Sequence, residues 1–132
     1  MAVFPSPEWL DNYVEALNSD PEFSRSTKGW VWVILFIVEE DGSKRSPGFL
    51  VEVADGVCRR HKYYVDAGSV NSPYRIWGPR QAWLDLIQGR IDPTKALGQG
   101  RIHVSANQAT LGRFVETAKT LLSCLAAVQS DT

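Results

Sequence analysis

The last third of the chain most constrains the fold, because glycines and an Asp-Pro pair divide it into short segments with distinct hydrophobic patterns. A helical pattern ends at Gly89, and a short one runs from Asp92-Pro93 to Leu97. An alternating strand pattern covers 101–105, and a long amphipathic helix begins after Asn107, a residue type that favours the N-cap. The apolar positions of that helix follow helical spacing: Leu111, Phe114, Val115, Ala118, Leu121, Leu122 and Leu125.

The earlier part of the chain predicts one helix followed by four strands. Ser6-Pro7-Glu8 is a helix start, and 18–21 ends that helix. The run 30–39 is apolar at both alternating sets of positions, which predicts a strand covered on both faces. A turn at 40–43 and a hairpin at Asp55-Gly56 separate it from the next two strands. The remaining predictions are strands over 49–54, 57–65 and 73–77 and a helix from Gly78-Pro79.

These patterns predict an α+β protein in which a five-stranded, largely antiparallel sheet has helices packed on one face. The strands come in one consecutive run with helices before and after it, which is typical of this class. A length of 132 residues fits one domain spanning 1–132. Within the sheet, Glu52 marks a wet face, so Phe49, Val51 and Val53 are expected to point inward.

Composition predicts a soluble, cytoplasmic protein that binds no nucleic acid. Apolar residues make up 44% of the chain, charged residues 22%, and the net charge is −1. The basic cluster 59–62 is divided between two strand faces by alternation. No secretory signal is expected at the N-terminus, and the longest apolar run, 30–38, is less than half of the ~20 residues that span a bilayer.

The sequence predicts no enzyme, no cofactor and no metal site. It contains no nucleophile elbow, metalloprotease helix, phosphate loop or dinucleotide-binding glycine pattern. Asp66, Asp85 and Asp92 are expected in loops or caps. The two cysteines and two histidines have no metal-ligand spacing, so two buried thiols are the expected state.

An ordered set of motifs resembles the sterol carrier protein family, also called non-specific lipid-transfer proteins. The residues that carry the resemblance are Trp77-Gly78-Pro79, Trp83-Leu84, Ile87-Gln88-Gly89-Arg90-Ile91-Asp92-Pro93, Ala96 and Gly100-Arg101-Ile102-His103-Val104. It extends over about residues 24 to 125, with its motifs confined to 77–104. Ala106-Asn107 stands where the family often has glycine, and Arg101 stands where lysine is common.

The resemblance implies an apolar tunnel between the sheet and the helices, which binds fatty acyl chains, sterols or isoprenoid- and quinone-like lipids without catalysis. The implied lining residues are Ile34, Phe36, Phe49, Val51, Trp77, Trp83, Leu86, Ile87, Leu97, Leu111, Phe114, Val115, Ala118, Leu121 and Leu122. The expected partner is an apolar small molecule, with at most transient membrane contact. A homodimer or a protein partner is left open.

Two other functions remain open from the sequence. The same fold with a filled core would be an accessory or assembly module that meets a partner chain through exposed apolar patches. The chain would alternatively be a subunit of an enzyme that acts on a lipid-like substrate. Independently of these alternatives, one cation of the cluster 59–62 is a candidate for holding a lipid carboxylate or phosphate at the pocket mouth.

Overall fold

We describe the protein from a computed structural model, which describes residues 2–40, 45–128 and 130–131. The predicted turn at 40–43 lies mostly outside the described residues. The five predicted strands are confirmed as β2 (Val31–Glu39), β3 (Gly48–Ala54), β4 (Val57–Tyr64), β5 (Tyr74–Pro79) and β6 (His103–Ser105). Two short segments that the sequence did not predict, β1 (Ala2–Val3) and β7 (Ser130–Asp131), pair in parallel away from that sheet.

The five-stranded sheet has the order β4-β3-β2-β5-β6. Three of its four pairings are antiparallel, and the central pairing of β2 with β5 is parallel. The prediction of a largely antiparallel sheet is therefore confirmed, with one parallel pair that makes it mixed. Because β4 and β5 follow each other in the chain but lie on opposite sides of β2 and β3, the connecting residues 65–73 must cross the sheet.

The described residues also form five α-helices: α1 (Pro7–Asn18), α2 (Pro21–Ser26), α3 (Arg80–Ile87), α4 (Pro93–Gly98) and α5 (Leu111–Ser123). The sequence treated 18–21 only as a helix end and missed α2, although Asp20 caps it by accepting a hydrogen bond from the Glu22 amide at 2.9 Å. None of the helices in the described part of the chain is long and apolar enough to cross a membrane.

The start of α5 differs from the prediction. Asn107 precedes a 3₁₀ turn and its side chain makes no capping hydrogen bond; its amide nitrogen donates to the Tyr74 hydroxyl at 3.2 Å. A short 3₁₀ turn over Gln108–Thr110 leads into α5, and Thr110 makes no capping hydrogen bond either. The first turn of α5 is thus not closed by a side-chain cap.

The helices cover one face of the sheet, and the core lies between them. Phe49, Val51 and Val53 all face this layer and are fully buried, which confirms the predicted orientation. On the opposite face, Val31 is 72% exposed while Leu35 is fully buried. The prediction that the first strand is covered on both faces is therefore correct at only one end, because the connection 65–73 covers only part of the helix-free face.

The connection lies close to the sheet because β3 begins with a glycine. The Ala67 amide donates to the Ser46 carbonyl at 2.7 Å, just before Gly48. A β-carbon on Gly48 would lie 2.7 Å from the Ala67 side chain and would also overlap the Phe36 carbonyl oxygen. A larger residue at position 48 therefore does not fit under the connection.

Asp85 joins α3 to the segment that enters β6. It was expected in a loop or cap, but it lies inside α3, where it accepts from Arg101 at 2.5 Å and from Gln81 at 2.9 Å. Arg90 lies 3.0 Å from the same carboxylate. The hydrogen bond from Arg101, with smaller contributions from Gln81 and Arg90, lowers the pKa of Asp85 to about 2.

Gly48→Ala tests how closely the connection and the sheet approach each other. We expect it to lower the free energy of unfolding by about 2 kcal/mol, because the new methyl group overlaps backbone and Ala67. Gly112→Ala is the matched control, since nothing lies within 4 Å of its β-carbon position in α5. It should raise that free energy by about 0.5 kcal/mol. Urea denaturation measures the free energy of unfolding of both variants. Equal effects of the two substitutions would contradict the close approach of the connection to β3.

Asp85→Asn tests the ion pairs of α3 through their pH dependence. The carboxylate has a folded pKa of about 2, below its unfolded value, so it stabilises the fold above about pH 4. That contribution is lost as the pH falls from about 4 towards 2. The variant should therefore be less stable than the parent at neutral pH and equally stable near the lower limit. Urea denaturation across this pH range measures the difference in free energy of unfolding between the parent and the variant. A difference that does not change with pH would refute the lowered pKa of Asp85.

Candidate functional site

The layer between the sheet and the helices contains most of the residues expected to line a lipid tunnel. Eleven of the fifteen are buried in it: Ile34, Phe36, Phe49, Val51, Trp83, Leu86, Ile87, Phe114, Ala118, Leu121 and Leu122. They come from β2 and β3 on the sheet side and from α3 and α5 on the helix side. The structure thus brings these residues together in one continuous apolar layer.

Four of the expected lining residues lie elsewhere or only partly in this layer. Trp77 belongs to the helix-free face, because it alternates along β5 with Ile76, which is fully buried. Leu111 is the first residue of α5 and is 39% exposed. Leu97 and Val115 are half-buried. Of these four, Trp77 was assigned to the wrong side of the sheet, and the alternation with Ile76 was the available signal.

Aromatic rings from the N-terminal region enter the same layer, and the sequence had not placed them there. Phe4 and Trp9 meet edge to face at 4.6 Å between ring centroids, and Trp9 stacks on Tyr13 at 5.2 Å. Tyr13 in turn contacts Phe49 at 5.9 Å. The helical spacing of Trp9 and Tyr13 was the signal that could have included α1, and nothing local identifies Phe4.

A second ring cluster lies under the start of α5. Trp32 meets Phe114 edge to face at 5.6 Å, and Tyr74 lies 5.3 Å from Phe114. Phe114 is therefore the side chain that seats this end of α5 on the sheet. Ring pairs of this kind stabilise by about 0.5–1.5 kcal/mol beyond the area they bury.

Trp83 anchors α3 to the sheet. Its indole N–H donates to the carbonyls of Ile37 and Gly78, both at 3.1 Å, so it is shared between β2 and β5. Its ring lies 6.0 Å from Phe36 and is fully buried. The side chain thus has a structural role as well as a place in the wall of the layer.

The buried titratable groups of this layer are neutral at physiological pH. Burial raises the pKa of Tyr13, whose hydroxyl donates to the Leu121 carbonyl at 2.6 Å. Burial also raises the pKa of the Cys58 thiol to about 11 and that of Cys124 to about 12. Because both thiols are free and protonated, neither is an activated nucleophile. No group of three His, Cys, Asp or Glu side chains within 2–40, 45–128 and 130–131 is placed to hold a metal ion.

The basic cluster of β4 does not form one patch. The pairing with β3 passes from Val53 opposite Cys58 to Glu52 opposite Arg60, so Arg59 is an extra, bulged residue. This bulge shifts the alternation that the sequence predicts. His61 faces α1, where its Nε2 lies 2.7 Å from the Asp11 carboxylate.

A polar cleft of about 410 Å³ borders the layer between α2 and α5. Its lining residues are Glu22, Arg25, Ser26, Arg113, Glu116, Thr117, Lys119 and Thr120. Arg25 pairs with Glu22, and Lys119 pairs with Glu116. Arg113 forms no ion pair among the described residues. It donates to the Ser26 carbonyl at 2.9 Å, and its guanidinium lies 5.6 Å from the Trp30 ring centroid.

Thr117 connects this cleft with the buried layer. Its side chain is fully buried, and its hydroxyl has no hydrogen-bond partner in the part of the chain that the structure describes. A buried, unpaired hydroxyl costs free energy that a polar group of a ligand would recover. The inner end of the cleft therefore offers a hydroxyl to a ligand.

Comparison with solved structures identifies the fold. The chain superposes on a crystal structure of sterol carrier protein 2 with a TM-score of 0.80 and 20% identity, over 94% of this chain and 98% of that one. Protein TT1886 from Thermus thermophilus gives a TM-score of 0.76 and 20% identity, over 96% and 90%. Palmitated SCP2L2 from Aedes aegypti gives 0.57 and 14%, over 86% and 94%.

These superpositions confirm, at the level of the fold, the resemblance that the motifs of 77–104 indicated. The chain has the sterol carrier protein 2 fold, and the match extends over nearly the whole of both chains. No protein-family model matches the sequence, and no curated protein matches it significantly.

Thr117→Val tests whether the buried hydroxyl lacks a partner. The replacement keeps the shape of the side chain and removes the unpaired group, so we expect the free energy of unfolding to rise by about 1 kcal/mol. Thr120→Val is the control, because Thr120 lies half-buried on the same helix, where solvent reaches it. Urea denaturation measures both variants. A loss of stability for Thr117→Val alone would show that the hydroxyl is bonded.

Proposed function

We propose that this chain is a cytoplasmic, single-domain, non-catalytic carrier, spanning 1–132, that binds and transfers a hydrophobic ligand. The ligand class is a fatty acid, an acyl chain, a sterol, or an isoprenoid- or quinone-like lipid. It occupies the layer between the sheet and the helices, and α5 acts as the lid. The observation that carries the proposal is the superposition on sterol carrier protein 2 over nearly the full length of both chains.

A palmitated relative supports an acyl ligand. SCP2L2 from Aedes aegypti carries palmitate on the same fold, in a chain of which 94% is matched. Transfer of each methylene from water contributes about 0.8 kcal/mol, so a long acyl chain gains on the order of 10 kcal/mol before ordering costs. Apolar burial alone is then sufficient for micromolar binding, and the ligand is selected by shape and volume.

The aromatic rings of the layer pack against one another where a ligand would enter. Inward-facing rings contact one another, with Phe114 seated against Trp32 and Phe36 stacked on Phe49 at 4.6 Å. An acyl chain must therefore separate α5 from the sheet or displace these rings. We expect α5 to separate from the sheet first at its N-terminal turn, because neither Asn107 nor Thr110 caps that turn.

The cleft between α2 and α5 suits the polar end of the ligand. Arg113 holds a positive charge there without an ion-pair partner among the described residues, and the unpaired Thr117 hydroxyl lies at its inner end. A carboxylate placed between them would accept from both. This arrangement directs the acyl chain past Thr117 into the layer.

The first experiment asks whether lipid is present and where it lies. Native mass spectrometry of the purified protein, followed by denaturing extraction, tests for a co-purified lipid. Uniformly ¹³C-labelled palmitate is then added to the delipidated protein, and ¹³C-edited nuclear Overhauser contacts are recorded. We expect contacts from palmitate to Phe114, Trp83 and Ile34. Contacts only to Val31 and Val33, which are exposed on the helix-free face, would refute the proposed site.

Ala118→Leu tests the layer by filling it. Ala118 is fully buried on the inner side of α5, so the three carbon atoms that leucine adds there should weaken palmitate affinity about tenfold or more. Ala126→Leu, in the exposed turn after α5, should leave the affinity unchanged. Competition with a fluorescent fatty acid measures both, on samples shown by circular dichroism to be folded. Equal affinities would place the ligand outside the layer.

The alternative is an accessory or assembly module with a filled core. The ring-to-ring packing of the layer and the 72% exposure of Val31 on the opposite face favour this candidate. A protein that carries no lipid as purified and takes up no labelled palmitate would support it over the carrier. A protein partner recovered at fixed stoichiometry would then define the function.

A further inference from the structure

A cleft of about 260 Å³ lies on the helix-free face of the sheet, on the opposite side from the apolar layer. Its lining residues are Ile37, Glu39, Ser46, Gly68, Arg75 and Trp77. The connection between β4 and β5 forms one wall, outward-facing side chains of β5 form the other, and Ile37 of β2 lies between them. The cleft therefore exists because the connection covers only part of this face.

Hydrogen bonds from backbone amides hold the first wall in place. The Asp66 carboxylate accepts from the Gly68 amide at 3.2 Å and from the Ser46 amide at 3.4 Å. The Ala67 amide donates to the Ser46 carbonyl at 2.7 Å. These bonds join the connection to the segment that precedes β3, so this wall of the cleft is formed before any ligand arrives.

Arg75 and Trp77 form the second wall. They alternate on β5 and point to the same face, with the guanidinium carbon 5.9 Å from the Trp77 ring centroid. Trp77 also stacks on His103 of β6 at 5.5 Å, with an angle of 30° between the rings. The result is a cationic fork beside a flat aromatic surface that extends across two strands.

The guanidinium of Arg75 has no acidic partner among the described residues. Its Nε is buried and has no hydrogen bond there, and no ion pair joins Arg75 to any acid of the described residues. An unpaired N–H of a charged group is costly to bury, so an acceptor placed beside it would recover free energy. A guanidinium fork matches the planar oxygens of a carboxylate or a phosphate.

The rest of the lining narrows the ligand class. Glu39 lines the same cleft and forms no ion pair within the described residues, so its charge opposes a dianion more than a monoanion. The Trp77 face favours a flat apolar body that stacks on it. We propose that this cleft is a binding site for a small planar monocarboxylate, whose carboxylate accepts from Arg75 and whose body stacks on Trp77.

This site is independent of the proposed carrier function. The sheet separates the cleft from the layer beneath α5, and the two share no lining residue. Occupation of one therefore requires no occupation of the other. A failure of palmitate binding would leave the monocarboxylate site untouched, and the reverse also holds.

Titration with 2-naphthoate, followed by ¹H–¹⁵N nuclear magnetic resonance, tests the proposal. We expect the Arg75 Nε–Hε resonance and the amides of Gly68 and Trp77 to shift together with one saturation curve. Arg75→Met removes the fork and keeps the aliphatic stem, so the affinity should fall about tenfold or more. Arg59→Met, at the exposed bulge of β4, is the matched control and should leave the affinity unchanged.

Two further measurements test whether the site recognises the negative charge of the ligand. Glu39→Gln removes an exposed like charge and should tighten 2-naphthoate binding by about threefold, an effect that misfolding cannot imitate. The neutral 2-naphthamide should bind at least about tenfold more weakly than 2-naphthoate. Equal binding of the two compounds, an unchanged affinity in Arg75→Met, or shifts confined to residues of the apolar layer would each overturn the proposal.

Discussion

The burial of one aromatic sheet face under the helices is the interaction on which the rest of this structure depends. Phe36 and Phe49 lie side by side on neighbouring strands, and rings from α1 and α3 pack onto them. Phe114 of α5 packs on Trp32 of the same sheet face. Trp83 also fixes the position of α3 on the sheet, because its indole N–H donates to carbonyls of both β2 and β5. The helix layer is thus held by apolar area and positioned by a few buried hydrogen bonds.

This layer also explains why the same architecture suits either a carrier or a filled module. A lid helix packs against the sheet whether a ligand is present or not, and its apolar face is buried in both cases. The polar features around α5 separate the two functions. An uncapped first turn and an unpaired, buried Thr117 hydroxyl are unfavourable in a purely structural helix.

The helix-free face is shaped by the connection that crosses it and not by helix packing. Its crossing connection is required by topology, since β5 pairs in parallel with β2 while β4 lies at the far edge. Gly48 permits close contact at one end of the connection, and the uncovered remainder forms a cleft beside Arg75. One sheet therefore presents an apolar, helix-covered face and a partly open, charged face, which suit ligands of different chemistry.

Periodicity and turn residues are local signals, and they were enough to predict most of the helices, the five strands of the main sheet and the inward orientation of Phe49, Val51 and Val53. It missed α2, whose Asp-Pro start also reads as a helix end. The parallel pairing of β2 with β5 and the convergence of Phe4 with α1 became visible only in the folded protein. These depend on strand order and on contacts between distant segments, and no local pattern of residues encodes either.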